Sequence, residues 1–305
     1  MKVLSLFDGI SCGMVALERA GIPVERYVAY EIDENAIKIS KKNYPQIEHC
    51  GDVTKADFTQ YQGFDLVIGG SPCTNWSCSK CHTAKIKKEM FINEGDGWKL
   101  FEHYDRALKE AKPKYFLYEN NFRIPKNIED AITARLGVKP IMINSATVSA
   151  QRRKRQYWTN IPNIEQPKDR GILLRDIYIH DYSLIRHDDR ILKTAIETKN
   201  YVKYDLLGKG HYSEPYRLYY LDGKSPTLPR CRTETKCNML LDKNDFSTYK
   251  IISPVEAERL QTLPDNYTDC VPKSRRFEAI GNGWTVDVIV HIFKHIKEEK
   301  DNGSI

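Results

Sequence analysis

Over the first 161 positions the apolar residues follow two alternating rhythms. Short continuous runs at residues 3–7, 27–32, 64–70 and 115–119 predict buried strands. Between them, apolar positions recur every three or four residues over 14–19, 34–43 and 98–111, which predicts helices, the first closing near Gly21. Strands spaced by such helices imply an α/β fold with a mostly parallel sheet covered on both faces. Two more strands are expected at 141–148 and 156–161. From about 162 to 249, charges, tyrosines and short apolar pieces alternate without a period. Regularity returns at Ser253-Pro254-Val255-Glu256, a capping box with Pro at the first helical position, so a helix should run to Gln261. An apolar helix over 286–296 closes the pattern. The expectation is a large domain, 1–162 and 251–305, interrupted by a small irregular one, 163–250.

Composition narrows this little. Of 305 residues, 41% are hydrophobic and 29% charged, as in ordinary globular chains. No apolar run reaches bilayer-spanning length and Met1 leads straight into the first strand, so neither a signal peptide nor a membrane partner is expected. The eight scattered cysteines fit a reducing compartment, and a cytoplasmic location is expected, in a bacterial cell or in a phage's host. A net charge of +6 permits a polyanionic partner without requiring one.

Candidate chemistry gathers at the expected carboxyl ends of the strands, where open parallel sheets bind ligands. The first strand–helix turn is Phe7-Asp8-Gly9-Ile10-Ser11-Cys12-Gly13. Its glycines permit close backbone approach, yet it is not G-x-G-x-x-G, which disfavours a nicotinamide dinucleotide. Glu31 ends the second strand, where an acid suits ribose hydroxyls, and Asp52 follows a third, short strand, placed for an adenine edge. Each acid alone reads as a cap or a solvated charge; their shared edge points to a nucleoside cofactor. Cys73, in Gly69-Gly70-Ser71-Pro72-Cys73, lies just past a strand end. There a thiolate would be nucleophilic, although a lone Ser-Pro-Cys also reads as a small buried residue. Glu119 brings a carboxyl to the same edge, and Gln151-Arg152-Arg153-Lys154-Arg155 adds four consecutive cations suited to an anionic substrate.

Together these segments resemble the DNA cytosine-5 methyltransferase family. Phe7-Asp8-Gly9, Glu31, Asp52, Ser71-Pro72-Cys73, Glu119-Asn120, Gln151-x-Arg153-x-Arg155 and Gly281-Asn282 stand in that family's order and rough spacing, over residues 1–162 and 225–296. Leu4 to Gly9, Ile68 to Cys73 and Trp284 look like the de novo branch known from animals, in a short bacterial or phage form. The resemblance implies a Rossmann-like fold that uses S-adenosyl-L-methionine and methylates cytosine C5 in duplex DNA, the base being flipped out of the helix. It assigns Cys73 as nucleophile on C6, Glu119 as its acidic partner at N3, Arg155 to the flipped base and Arg153 to positioning. Phe7, Asp8, Gly9, Glu31, Ile32, Asp52, Pro72, Asn282 and Trp284 would hold the cofactor. Residues 74–98 would form a closing loop, with Ser77 and Lys85 among its DNA contacts. Ser225-Pro226-Thr227-Leu228-Pro229-Arg230 resembles the motif supporting target recognition, with Thr227, Arg230, Arg232, Lys236 and Asn238 as further DNA contacts. Two departures stand out: Ser11 replaces a family glycine, and Asn121 replaces the usual valine.

Cys73, Cys78, Cys81 and His82 have a spacing that invites zinc, but the site would consume the nucleophile and freeze the loop, so no metal is expected. A tRNA cytosine-5 methyltransferase and a non-catalytic DNA-binding relative stay open as rivals. So do a homo-oligomer and a cognate restriction endonuclease as partners.

Overall fold

The first apolar run becomes β1 (Lys2–Leu6), with Val3, Leu4 and Leu6 wholly buried, as both faces of a central parallel strand require. The structure is a computed structural model and describes residues 1–72, 96–206, 216–231 and 237–301. After β1 come α1 (Cys12–Arg19), β2 (Arg26–Tyr30) and α2 (Glu34–Asn43), the last capped by Asp33, whose carboxylate accepts from the Asn35 and Ala36 N–H groups. There follow β3 (Glu48–His49), β4 (Leu66–Gly69), α3 (Asp96–Ala111), β5 (Tyr115–Asn121), α4 (Lys126–Leu136), β6 (Ile141–Asn144) and β7 (Lys154–Thr159). They build a seven-stranded sheet in the order β3-β2-β1-β4-β5-β7-β6. β1, β2, β3, β4 and β5 run parallel, and β7 returns antiparallel to β5. The strand order reverses between β1 and β4, the switch point at which such sheets open a crevice for ligands.

This sheet agrees with the expected α/β class. The run expected as one strand over 141–148 is shorter, because the Asn144 side chain accepts from the Ala146 N–H and turns the chain into a 3-10 turn, Ser145–Thr147. One aromatic cluster, Phe101, Tyr104, Tyr118 and Trp158, packs α3 onto β5 and β7.

The span read as irregular is ordered. It holds α5 (Leu174–Ile177), β8 (Ile185–His187), β9 (Ile196–Glu197), β10 (Tyr201–Lys203), β11 (Arg217–Tyr220), β12 (Asn238–Asp242) and β13 (Asp245–Ile251). These strands form a second sheet, β8-β13-β12-β11-β10-β9, antiparallel except for β11 beside β12. Four of the six strands, β8 to β11, hold only two to four residues, too few to show a period along the chain.

The capping box forms as expected: Ser253 Oγ accepts from the Glu256 N–H, and α6 (Pro254–Leu260) starts there. It is followed by α7 (Lys273–Asn282) and α8 (Val286–Asp301). By contacts the chain forms two compact units: Met1–Ile143 with Lys154–Gln166 and Ile289–Ile305, and Asn144–Arg153 with Pro167–Val288. α6 and α7 therefore group with the second sheet, where the sequence reading had placed 251–305 with the first 162 residues. The cause is a shared core, in which Ala257, Leu260, Phe277 and Ile280 pack with Leu174, Tyr219 and Met239.

Candidate active site

In the first unit, the carboxyl ends of β1, β2, β3 and β5 carry the predicted acids. Backbone geometry sets up the turn after β1: Phe7 and Ser11 both adopt left-handed φ, 58° and 59°, and Gly9 lies at 60°. Nothing comes within 4 Å of where a Gly9 side chain would begin, so backbone faces open space there. The Asp8 carboxylate is engaged by hydroxyls: Ser5 Oγ at 2.6 Å, Tyr27 OH at 2.7 Å and Ser11 Oγ at 2.5 Å all donate to it. Burial pushes its pKa up, against the pull of those three bonds. Asp8 therefore braces the turn.

Glu31 Oε2 accepts from the Gly9 N–H at 2.8 Å, and Oε1 accepts from the Ile32 and Asp33 N–H groups at 2.8 Å. A carboxylate has about four acceptor positions, so this one keeps capacity for a ligand hydroxyl. Burial raises its pKa, opposed by the backbone donors. Beside it Ile32 is 72% exposed, an apolar side chain standing at the edge of the sheet. Asp52 caps a 3-10 turn, Val53–Lys55, its Oδ1 accepting from the Thr54 N–H and Oγ1, which lowers its pKa.

At the end of β4, Ser71 is held to β5: its Oγ lies 2.6 Å from Tyr118 OH, and Asn120 Nδ2 donates to that hydroxyl at 3.1 Å. Cys73 lies outside the described residues, two positions beyond Ser71. On β5, Glu119 meets Arg155 of β7, with Arg155 Nε 2.9 Å from Glu119 Oε1 and both side chains mostly covered. The reversal of β7 produces this pair. Its register places Asn121 opposite Arg155 and Glu119 opposite Tyr157, so the first residues of β7 come back beside the last of β5.

In the second unit Arg153 is buried, and its guanidinium donates to the carbonyls of Leu228 at 2.9 Å, Gly281 at 3.1 Å and Gly283 at 3.0 Å. Gly281 is required by close approach: a Cβ there would lie 2.2 Å from the Pro229 carbonyl oxygen. Asn282 is exposed at the end of α7 and Trp284 is half-buried two residues on. Thr227 Oγ1 donates to the Arg152 carbonyl, and Arg230, half-exposed, pairs with Glu278 at 3.1 Å. Asn238 differs from its expected surface role: it is 5% exposed on β12, and its Oδ1 finds no partner among the described residues. The first three residues of β12 are all buried, so Asn238 sits among covered side chains at the start of the strand. Ser77, Lys85, Arg232 and Lys236 lie outside the described residues, as do Cys78, Cys81 and His82.

The family model of the C-5 cytosine-specific DNA methylases matches residues 1–298. The chain belongs to the C-5 cytosine-specific DNA methylase family. Relatives include the orphan methyltransferase M.Rho11sI of Bacillus phage rho11s, 37% identical over 122 residues, which are 39% of this chain and 23% of that protein. The match thus spans about a quarter of the phage protein's length. The type II methyltransferase M.FnuDI of Fusobacterium nucleatum is 27% identical over 346 residues, 98% of this chain and 94% of that one. Among solved structures, the Entamoeba histolytica methyltransferase EhMeth shares the fold, with TM-score 0.71, 16% identity and 98% of each chain covered.

Within this methylase-family fold, the residues that brace the loops at this edge carry no signal of that role in the sequence. Ser5, Tyr27, Ser40, His49 and Tyr118 carry hydroxyl or imidazole groups that meet partners up to 47 positions away. In the sequence they look like ordinary strand and helix residues, so only topology could reveal them.

Proposed function

We propose that this protein is an S-adenosyl-L-methionine-dependent DNA methyltransferase acting on carbon 5 of cytosine. The observation that carries the reading is the Glu119–Arg155 pair, at the carboxyl edge where the chain after β4 continues to Cys73. A flipped cytosine over this edge would meet a carboxyl for N3 and a guanidinium held beside it.

The Cys73 thiolate adds to C6, forming a carbon–sulfur bond and pushing the ring electrons toward N3, where Glu119 supplies or shares a proton. That makes C5 nucleophilic. S-adenosyl-L-methionine supplies the methyl group as an electrophile and leaves as S-adenosylhomocysteine. Water or hydroxide then takes the C5 proton, the C5–H electrons re-form the C5–C6 double bond as the carbon–sulfur bond breaks to release Cys73 as thiolate, and N3 returns its proton to Glu119. Arg155 contacts the base and orients Glu119, and Arg153, with its three carbonyl contacts, positions the segments around Leu228 and Gly281.

The loops of the first unit suit this cofactor. Glu31 retains acceptor capacity for ribose hydroxyls, exposed Ile32 offers an apolar surface to an adenine face, and the open approach at Gly9 admits a bulky group. Phe7, Asp8, Asp52 and Pro72 complete the proposed cofactor set of the first unit, with Asp8 acting as a brace. In the second unit, Thr227, Arg230, Arg232, Lys236 and Asn238 would contact duplex DNA, and in the first, Ser77 and Lys85. The first unit then serves catalysis and cofactor binding, and the second sheet target recognition.

Bisulfite sequencing of duplex DNA incubated with S-adenosyl-L-methionine tests this, with Cys73→Ala alongside. Methylated cytosines in one sequence context, absent with the variant, are expected. No methylation above the variant's level, with cofactor binding confirmed, would defeat the DNA reading; transfer to tRNA instead would reassign the substrate.

A further inference from the structure

Ser11 is one of the two departures from the family's pattern, standing where the family has glycine, and the structure gives that departure work to do. It sits at the N-cap of α1 with φ 59°, a conformation that favours glycine. Serine at an N-cap usually turns its hydroxyl onto the helix's free N–H groups. Here the side chain makes no capping bond. Its hydroxyl instead lies 2.5 Å from Asp8 Oδ2 and 2.6 Å from Ser40 Oγ, and Ser40 Oγ lies 3.1 Å from His49 Nε2. Ser11 and Ser40 are both wholly buried.

Hydrogen-bond arithmetic gives this chain one direction. Ser11 Oγ is one of three hydroxyls that donate to the Asp8 carboxylate, so it spends its single proton there and must accept from Ser40. Ser40 has then spent its own proton and must accept from His49 Nε2–H. His49 is thereby held with its proton on Nε2, and its buried Nδ1 has no hydrogen-bond partner among the described residues. The relay joins the turn after β1 to the end of β3, which leads through Cys50 and Gly51 to Asp52. The Gly9–Glu31 bond ties the same turn to the end of β2.

We propose that Ser11, Ser40 and His49 form a directional hydrogen-bond relay that fixes the loops after β1 and β3 in register, making all three positioning residues for the nucleoside cofactor. The inference rests on the methyltransferase reading of this edge. Serine at position 11 accepts a strained backbone in exchange for a buried hydroxyl that glycine cannot supply, and loss of one member leaves its neighbour with an unmet bond away from water.

The test measures equilibrium binding of S-adenosylhomocysteine to the full chain and to Ser11→Gly, Ser40→Ala, the double variant and Ser40→Thr, with thermal melts in parallel. Each single variant is expected to bind about tenfold more weakly. The double variant should be no weaker than either single, since both break one chain. Ser40→Thr, which keeps the hydroxyl, should recover binding; if its added methyl prevents folding, the double-variant comparison decides. Nitrogen-15 NMR of the wild type should show His49 protonated at Nε2. Single variants that bind within about twofold of the wild type, independent effects that add, or a His49 proton on Nδ1 would each overturn the relay. Failure of the wild type itself to bind S-adenosylhomocysteine or S-adenosyl-L-methionine would instead sink the cofactor reading.

Discussion

Glu119 and Arg155 are 36 positions apart in the chain and 2.9 Å apart in the fold. Their chemistry was legible in the sequence as an acid after a strand and a cation within a basic run. Their pairing was not, because it depends on β7 running antiparallel to β5. Glu119→Gln keeps the shape and one hydrogen bond but cannot hold a proton for N3. Its single-turnover methyl transfer is expected to fall by about 10²–10⁴-fold, the usual share of general acid–base catalysis, with cofactor affinity little altered. A loss under threefold, roughly, would mean N3 is served by another group. Asp8 and Glu31 were likewise legible as acids, whereas their occupation by hydroxyls and backbone N–H groups was not. His49 carries a pH signature: burial lowers its pKa from an ordinary value of 6.5. The unfolded chain therefore takes up a proton that the folded chain resists, so this contribution to stability is present above pH 6.5 and lost as pH falls through the folded pKa. His49→Gln retains an N–H at the Nε2 position and does not titrate. Its melting temperature should fall less than the wild type's between pH 7 and 5, compared by circular dichroism, about two pH units bracketing the histidine range; equal slopes would remove His49 as the source.

At the scale of elements, α6 was the most legible piece, since its start signal is local: Ser253, Pro254 and Glu256 stand within one turn. The structure adds what the motif could not show. Glu256 also receives the Ile179 N–H and a buried Lys250, whose Nζ lies 2.7 and 2.6 Å from the two carboxylate oxygens. Lys250 is wholly buried on β13 and also stands over the Tyr178 ring at 5.1 Å. Ser253→Ala should cost about 1 kcal/mol, the value of a cap. Lys250→Ala should cost about 3–5 kcal/mol, because it strands a buried carboxylate. Chemical denaturation separates the two, and near-equal losses would mean that the buried pair contributes little. Gly281→Ala must push the Pro229 carbonyl away from α7, at a cost of about 3 kcal/mol or more. The six strands of the second sheet are hard to see for a different reason: even where neighbours pair locally, as β9 with β10 and β12 with β13, most are too short to carry a pattern of their own.

For the whole molecule, the legible part is the edge where loops carry chemistry, and the illegible part is which stretches share a core. Both units draw on separated pieces of chain, and the first is completed by Ile289–Ile305. That closing segment lies more than 120 positions beyond the unit's other residues, so no local pattern could announce where it packs. Its apolar periodicity predicted a helix, and the structure shows how fully it is used: Ile289, Ile292 and Phe293 are 0% exposed and Ile296 is 1% exposed. Deleting such side chains costs about 2–5 kcal/mol for each isoleucine and about 3–5 for phenylalanine. Removing the segment together would therefore take away on the order of 10 kcal/mol, comparable with the entire stability of a typical domain. A chain ending at Val288 should show no cooperative thermal transition in the first unit and no binding of S-adenosylhomocysteine. Ile289→Val and Ile292→Val, each losing one methylene, should cost only about 1 kcal/mol apiece and keep both properties. A truncated chain that melted like the full one would show that the sheet of the first unit holds without α8, and that burial of its side chains contributes little to holding the cofactor edge in place.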